Sequence, residues 1–262
     1  MPVRKRFGQH FLHDPGVIRR IIEVVAPAPG ERIVEIGPGR GALTWGLLDR
    51  AKRLDVIEID RDLARALEAD PRGKGGLTVH VENVLDTDFN RLRGTGGPLR
   101  VVGNLPYNIS TPLLFRLLAQ RSAISDMYFM LQKEVVDRMA AAPGAKDYGR
   151  LTVMLAAVAE VEGLFDVGPG AFQPRPKVWS AIVRLRPAEN PRFDTGGDGA
   201  FRTVVTAAFS HRRKTLRNSL KGLLAAQDIE SCGIDPQLRP ETLAPVQFGR
   251  LAAHYSRLVG YT

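Results

Sequence analysis

The most constraining stretch of this 262-residue chain is Arg32-Ile33-Val34-Glu35-Ile36 followed by Gly37-Pro38-Gly39-Arg40-Gly41. The first run is short, β-branched and apolar, and reads as a strand. The second is a glycine turn, and Ala42 to Leu48 after it read as a helix. Strand, glycine turn and helix make the opening βα unit of a nucleotide-binding sheet, because glycine lets the backbone come close to a ligand at the helix N-terminus. The next strand, Leu54 to Asp60, carries Glu58 about 20 positions after Gly37, where a carboxylate accepts hydrogen bonds from ribose hydroxyls. The spacing is Gly-x-Gly-x-Gly rather than Gly-x-Gly-x-x-Gly, which favours a nucleoside-type ligand with no pyrophosphate over a dinucleotide. S-adenosylmethionine is a ligand of that kind.

The alternation of strand and helix continues to about residue 150. Leu77 to Val81, Leu99 to Val102 and Met127 to Leu131 read as further strands, the last mostly apolar as in a strand buried on both faces. Val161 to Val167 and Val178 to Leu185 read as a closing pair, which predicts a doubly wound, Rossmann-like α/β sheet. Pro187 to Gly199 is rich in Pro, Gly and Asp and marks a boundary. The expected organisation is a catalytic domain over 1–187, its N-terminal segment 1–30 included, a linker over 188–199 and a small helical domain over 200–262. In the last part, Phe201, Val204, Val205, Ala208 and Phe209 recur at helical spacing. Ser210 to Lys221 predicts a basic amphipathic helix, with Arg213, Arg217 and Lys221 on one face and Leu216 and Leu220 on the other. Such a face suits a phosphate backbone, and equally a solvated surface.

Charge bears on the partner. Lys plus Arg is 37 against 28 acidic residues, a net of +9, which favours a polyanion, nucleic acid before membrane. A single cysteine, Cys232, excludes an intramolecular disulfide. No apolar run is long enough to span a bilayer and no apolar signal core follows the basic start, so a cytoplasmic protein without membrane attachment or metal site is expected.

The loop Asn104-Leu105-Pro106-Tyr107-Asn108-Ile109-Ser110-Thr111-Pro112 follows the fourth strand, at the carboxyl edge where open α/β sheets bind ligands. Asn104 offers a side-chain carbonyl. Pro106 pushes Leu105 to an extended conformation and turns its carbonyl toward the site. Tyr107 offers a flat ring. Two acceptors beside a ring match the exocyclic amine of a planar base. Phe172, in the loop Gly170 to Val178, fits either a core position or the second wall of a base pocket. Asn83 or Asp86, after the third strand, fits a hydrogen bond to a cofactor adenine.

With these segments in place the sequence closely resembles the bacterial small-subunit ribosomal RNA adenine dimethyltransferases over nearly its whole length. The resemblance is carried by Gly8 to Leu12, Glu35 to Gly41, Val56 to Asp60, Asn104 to Pro112, Leu131 to Glu134, Phe172 to Val178 and Arg212 to Thr215. It implies a class I methyltransferase sheet with a small C-terminal helical domain. It implies S-adenosyl-L-methionine bound by His10, Leu12, Gly37, Glu58, Asn83 and Asn104, and catalysis by Asn104, Leu105, Pro106, Tyr107 and Phe172. RNA contact is expected from Arg212, Arg213, Lys214, Arg217 and Lys221. His10 stands where the family commonly has Asn, and Asn83 where it commonly has Asp. The implied activity is N6-dimethylation of adenine in 16S rRNA of the 30S subunit by a monomer, during ribosome biogenesis. Alternatives are a 23S rRNA dimethyltransferase and an assembly or transcription factor that keeps the fold without catalysis.

Overall fold

The computed structural model describes residues 10–106, 109–211 and 213–260. In chain order its elements are β1 (Phe11–Leu12), α1 (Pro15–Val25), β2 (Ile33–Ile36), α2 (Thr44–Ala51), β3 (Leu54–Ile57), α3 (Arg61–Glu68), β4 (Leu77–His80), α4 (Phe89–Arg93), β5 (Leu99–Asn104), α5 (Ser110–Ala119), β6 (Ile124–Gln132), α6 (Lys133–Met139), α7 (Arg150–Ala156), β7 (Ala159–Val167), β8 (Phe172–Gln173), β9 (Ser180–Pro187), α8 (Asp198–Ala208), α9 (Leu216–Ser219), α10 (Ala226–Ser231) and α11 (Pro245–Val259). They divide between two compact units, one of residues 1–136 and 162–187, the other of 137–161 and 188–262.

The first unit is built on a seven-stranded sheet of order β4-β3-β2-β5-β6-β9-β7. The strands from β4 to β6 run parallel, and β9 runs antiparallel to β6. Strand order reverses between β2 and β5, so their carboxyl ends diverge and leave a crevice. Val101, Val102, Met127, Phe129 and Met130 are buried, as strands covered by helices on both faces require. The first helix starts where Asp14 accepts hydrogen bonds from the Gly16 and Val17 amides, with Pro15 at its first position.

At the opposite, amino edge of the sheet, Arg100 is nearly buried and satisfied on several sides. Its Nε donates to Asp126 at 2.9 Å, its Nη1 to Glu31 at 2.7 Å and its Nη2 to the Val25 carbonyl at 2.8 Å. Burial opposes its charge, but the two carboxylates prevail and raise its pKa. A two-stranded ribbon stands apart from the main sheet: β1 pairs with β8, Leu12 opposite Phe172.

In the second unit, Val153 and Ala157 pack with Phe201, Val204, Val205 and Ala208 of α8 and with Phe248 and Leu251 of α11. Tyr148 is buried there and donates to the Leu243 carbonyl at 2.7 Å. Two expectations are corrected. Residues 137–161 belong to this unit rather than to a continuous domain ending at 187, because their apolar face fills its core. The segment 188–199 is not a free linker. Its Ala188 and Arg192 amides donate to the Val158 and Ala157 carbonyls, and Thr195 is buried. A Cβ on Gly249 of α11 would sit 2.3 Å from the Asp194 carbonyl oxygen, so glycine is what lets that segment lie against the helix.

The predicted basic helix is also corrected. α8 ends at Ala208, and within 210–221 the described chain has one helical turn, α9. The Leu216 and Arg217 amides donate outward to the Leu238 and Pro236 carbonyls, which fixes the start of that turn. Gly222, at φ +95°, turns the chain away after it. Leu216 and Leu220 are buried, whereas Arg213, Lys214, Arg217 and Lys221 are exposed. Arg212 lies outside the described residues. No described helix is long and apolar enough to cross a membrane.

Candidate active site

A cavity of about 290 Å³ opens at the carboxyl ends of β2, β3 and β5, all within the first unit. His10, Leu12, Gly37, Glu58, Asn83 and Asn104 all line it, as do Leu105 and Pro106. Its floor is the glycine turn. Gly37 (φ +65°) and Gly39 (φ +58°) take conformations that side chains avoid, and a Cβ at Gly39 would meet the Phe11 ring at 3.1 Å. The Gly37 amide donates to the Ile57 carbonyl, which locks the turn onto the neighbouring strand.

Glu58 is buried and accepts from the Gly39 amide at 3.1 Å and the Asp60 amide at 2.9 Å. Burial raises its pKa, with those two hydrogen bonds opposing. Glu35 was not singled out by the sequence reading, yet it lines the same cavity and is 2% exposed. Burial pushes its carboxyl up to about 8, the Thr44 hydroxyl donating to it at 2.6 Å pulls back, and the charge of Glu58 pushes up further. An acidic residue inside a buried strand, directly before a glycine turn, was the signal available.

Asn104 ends β5. Its Nδ2 donates to the His10 carbonyl at 3.0 Å, which leaves Oδ1 as its acceptor. The His10 ring is held in turn at 2.8 Å from the Pro174 carbonyl, so Nδ1 carries the hydrogen. The Leu105 amide donates to the Met130 carbonyl at 3.2 Å, which extends the strand past Asn104. Asn83 accepts from the Leu85 amide and donates to the Asp86 carboxylate, so its amide is oriented by its own turn. Ile59, half exposed at the rim, supplies an apolar wall that the sequence reading also missed.

Phe172 is corrected. It is 2% exposed and packs in the core with Leu12, Tyr128 and Ile182, so it is no wall of the cavity. Its loop acts through the backbone: β8 pairs with β1, and the His13 amide donates to the Ala171 carbonyl. The loop thereby presses His10 to Leu12 onto the cavity's lip. Tyr107, along with Gly8 and Gln9 of the opening motif, lies outside the described residues.

A parallel sheet with an antiparallel strand beside β6, its glycine turn and acidic second-strand residue facing one crevice, defines the class I methyltransferase fold. Two solved structures share it at full-chain scale. The 23S rRNA methyltransferase ErmE superimposes with a TM-score of 0.75 at 28% identity, over 93% of this chain and 98% of its own. A dimethyladenosine transferase from Plasmodium falciparum gives 0.77 at 27% identity, over 92% and 96%. The family described as ribosomal RNA adenine dimethylase matches residues 2–255. The Ribosomal RNA small subunit methyltransferase A of Pseudomonas aeruginosa is 53% identical over 98% of this chain and 96% of its own. That of Marinomonas sp. is 51% identical over 98% and 97%. The chain belongs to the ribosomal RNA adenine dimethylase family.

Proposed function

We propose that this protein transfers methyl groups from S-adenosylmethionine to N6 of adenines in 16S rRNA, giving N6,N6-dimethyladenine. It acts as a monomer on the 30S subunit, in the cytoplasm, during small-subunit biogenesis. The observation that carries this is the 53% identity, end to end, to a protein named as a small-subunit methyltransferase, against 28% to a 23S rRNA methyltransferase.

The cavity suits the cofactor on its own chemistry. Its glycine floor leaves no side chain in the way. Glu58 suits ribose hydroxyls, Gly37 the close backbone approach, and Asn83 with His10 and Leu12 the adenine end and the lip. Bound S-adenosylmethionine supplies an electrophilic methyl group on a sulfonium centre. The protein's part is positioning. An adenine unstacked from the RNA lies against Tyr107. Asn104 Oδ1 and the Leu105 carbonyl accept its two N6 hydrogens. Both bonds draw the nitrogen from planar toward tetrahedral and direct its lone pair at the methyl group. The N6 proton passes to solvent after attack and the methyl donor is left as a neutral thioether, so neither an acid nor a strong base is needed. Arg213, Lys214, Arg217 and Lys221 hold the phosphate backbone.

The test offers labelled S-adenosylmethionine with unmodified small subunits, naked 16S RNA, large subunits and DNA in parallel. Dimethyladenine only in small subunits is the expected result. Transfer to large subunits alone, or to no substrate, overturns the reading.

A further inference from the structure

The loop that clasps the cavity's lip has a second half that faces solvent. Gln173 and Pro174 hold β1 and His10, but Arg175, Lys177, Val178 and Trp179 are all exposed. Trp179 is the extreme case. A tryptophan is rarely left bare, yet this one is 54% exposed, and Val178 beside it is 40% exposed. The rim of its indole rests near Gly168, where a Cβ would come within 3.7 Å of the ring carbons. Its backbone is not loose: the Trp179 carbonyl accepts from the Lys133 amide at 2.9 Å, and Ser180 pairs with Gln132. A rigid backbone therefore presents a large flat ring to water.

Strand register says where. Asn104 pairs with Met130 on β6, and Met130 pairs with Ile182 on β9. Trp179 precedes Ile182 on a strand antiparallel to β6, so it lies beyond the carboxyl end of β6, at the same sheet edge as Asn104 and the cavity. Two strand spacings separate β5 from β9, about 10 Å. The ring's neighbours along the chain are cationic and exposed, Arg175 and Lys177, and Lys133, whose amide donates to the Trp179 carbonyl, pairs with Asp166 at 3.2 Å. An exposed aromatic ring among cations is what single-stranded nucleic acid meets on proteins that stack its bases.

We propose that Trp179, flanked by Arg175 and Lys177, is a stacking platform for a nucleobase next to the target adenine in the RNA strand. The proposal rests on the rRNA-substrate reading and deepens it. A base stacked on Trp179 keeps its neighbour unstacked and delivers it to Asn104, while the two cations take the intervening phosphates. The residue thus sets the substrate's path and touches none of the reacting atoms.

The experiment compares wild type, Trp179→Ala, Trp179→Phe and the double variant Arg175→Gln with Lys177→Gln. Each is titrated with short oligoadenylate, with deproteinised 16S RNA and with unmodified small subunits. Affinity, indole fluorescence, cofactor affinity and methyl transfer are read. The other tryptophan, Trp45, lies under the Arg72 guanidinium and stays in every variant as an internal reference. Oligoadenylate is expected to quench wild-type fluorescence. Trp179→Ala loses the quenching, binds RNA about tenfold more weakly and raises KM for subunits, with cofactor affinity unchanged. Trp179→Phe keeps RNA affinity within about threefold of wild type, because a ring remains. Equal RNA affinity in wild type and Trp179→Ala overturns the proposal. So does a loss confined to intact subunits, which assigns Trp179 to a ribosomal protein instead. Failure of the wild type itself to methylate small subunits rejects the rRNA reading, whichever way the Trp179 comparison falls.

Discussion

Asn104 is the side chain on which two parts of the site converge. Its amide nitrogen donates to the His10 carbonyl, and its oxygen is the acceptor proposed for the target amine. Asn104→Ala is expected to lower single-turnover methyl transfer about a hundredfold. Wild-type rates in that variant would remove Asn104 from the mechanism. Tyr107→Ala should lower turnover while leaving cofactor affinity unchanged; activity within a few-fold of wild type rejects stacking. Glu35 gives a pH prediction with a definite sign. Its folded pKa is about 8 against an ordinary 4.5, so across that window the unfolded chain gives up this proton first. Stability from Glu35 is full below 4.5 and is lost as pH rises toward 8. Glu35→Gln removes this slope, so the ligand-free variant should gain Tm on wild type steadily as pH rises through the window. Parallel Tm curves for the two proteins would refute it. Motif spacing made Gly37, Glu58 and Asn104 legible, because their chemistry is local to a turn or a strand end. The place of Phe172 was not legible: whether it faces cavity or core depends on β1 pairing with β8, about 160 residues away.

Among the elements, the sheet was the part most visible in the sequence. Its strands are short apolar runs bounded by Gly, Pro and Asp, and local pattern sets them. The segment 210–221 shows the opposite case. Its apolar period is real, and Leu216 and Leu220 are buried as that period requires. The helix is nonetheless one turn long, because its first amides bond to residues 236 and 238 and Gly222 ends it. Periodicity reports which side faces inward, not how far a helix runs. The exposed cations keep their proposed role on this shorter scaffold. Reversing Arg213 and Arg217 to Glu should weaken RNA binding about tenfold and lessen the salt slope by about one per lost phosphate contact. An unchanged slope rejects contact by these residues. The Arg100 clamp is a matter of stability alone. Arg100→Met leaves Asp126 and Glu31 without their cation and should cost about 3 kcal/mol in urea unfolding.

On the scale of the whole molecule, Pro187 marks a boundary that composition shows, but the chain had already crossed between units at 136 and at 161. Nothing in the sequence of 150–158 distinguishes an apolar helix of one core from that of another. The second unit's core needs Tyr148, Val153 and Ala157. A fragment of residues 188–262 should therefore lack a cooperative thermal transition, while one that joins 137–161 to it through a short linker should regain it. Circular dichroism of the two decides. The same discontinuity puts events in an order as the chain is made. The strands of the main sheet are all available once residue 187 has emerged, whereas α7 emerges earlier and waits for α8 and α11. During that interval Val153 and Ala157 lack their partners from 188–262, so a nascent chain in this state carries uncovered apolar surface. The core shared by 137–161 and 188–262 is thus the later of the two to close, because half of its wall is made after the last strand of the sheet.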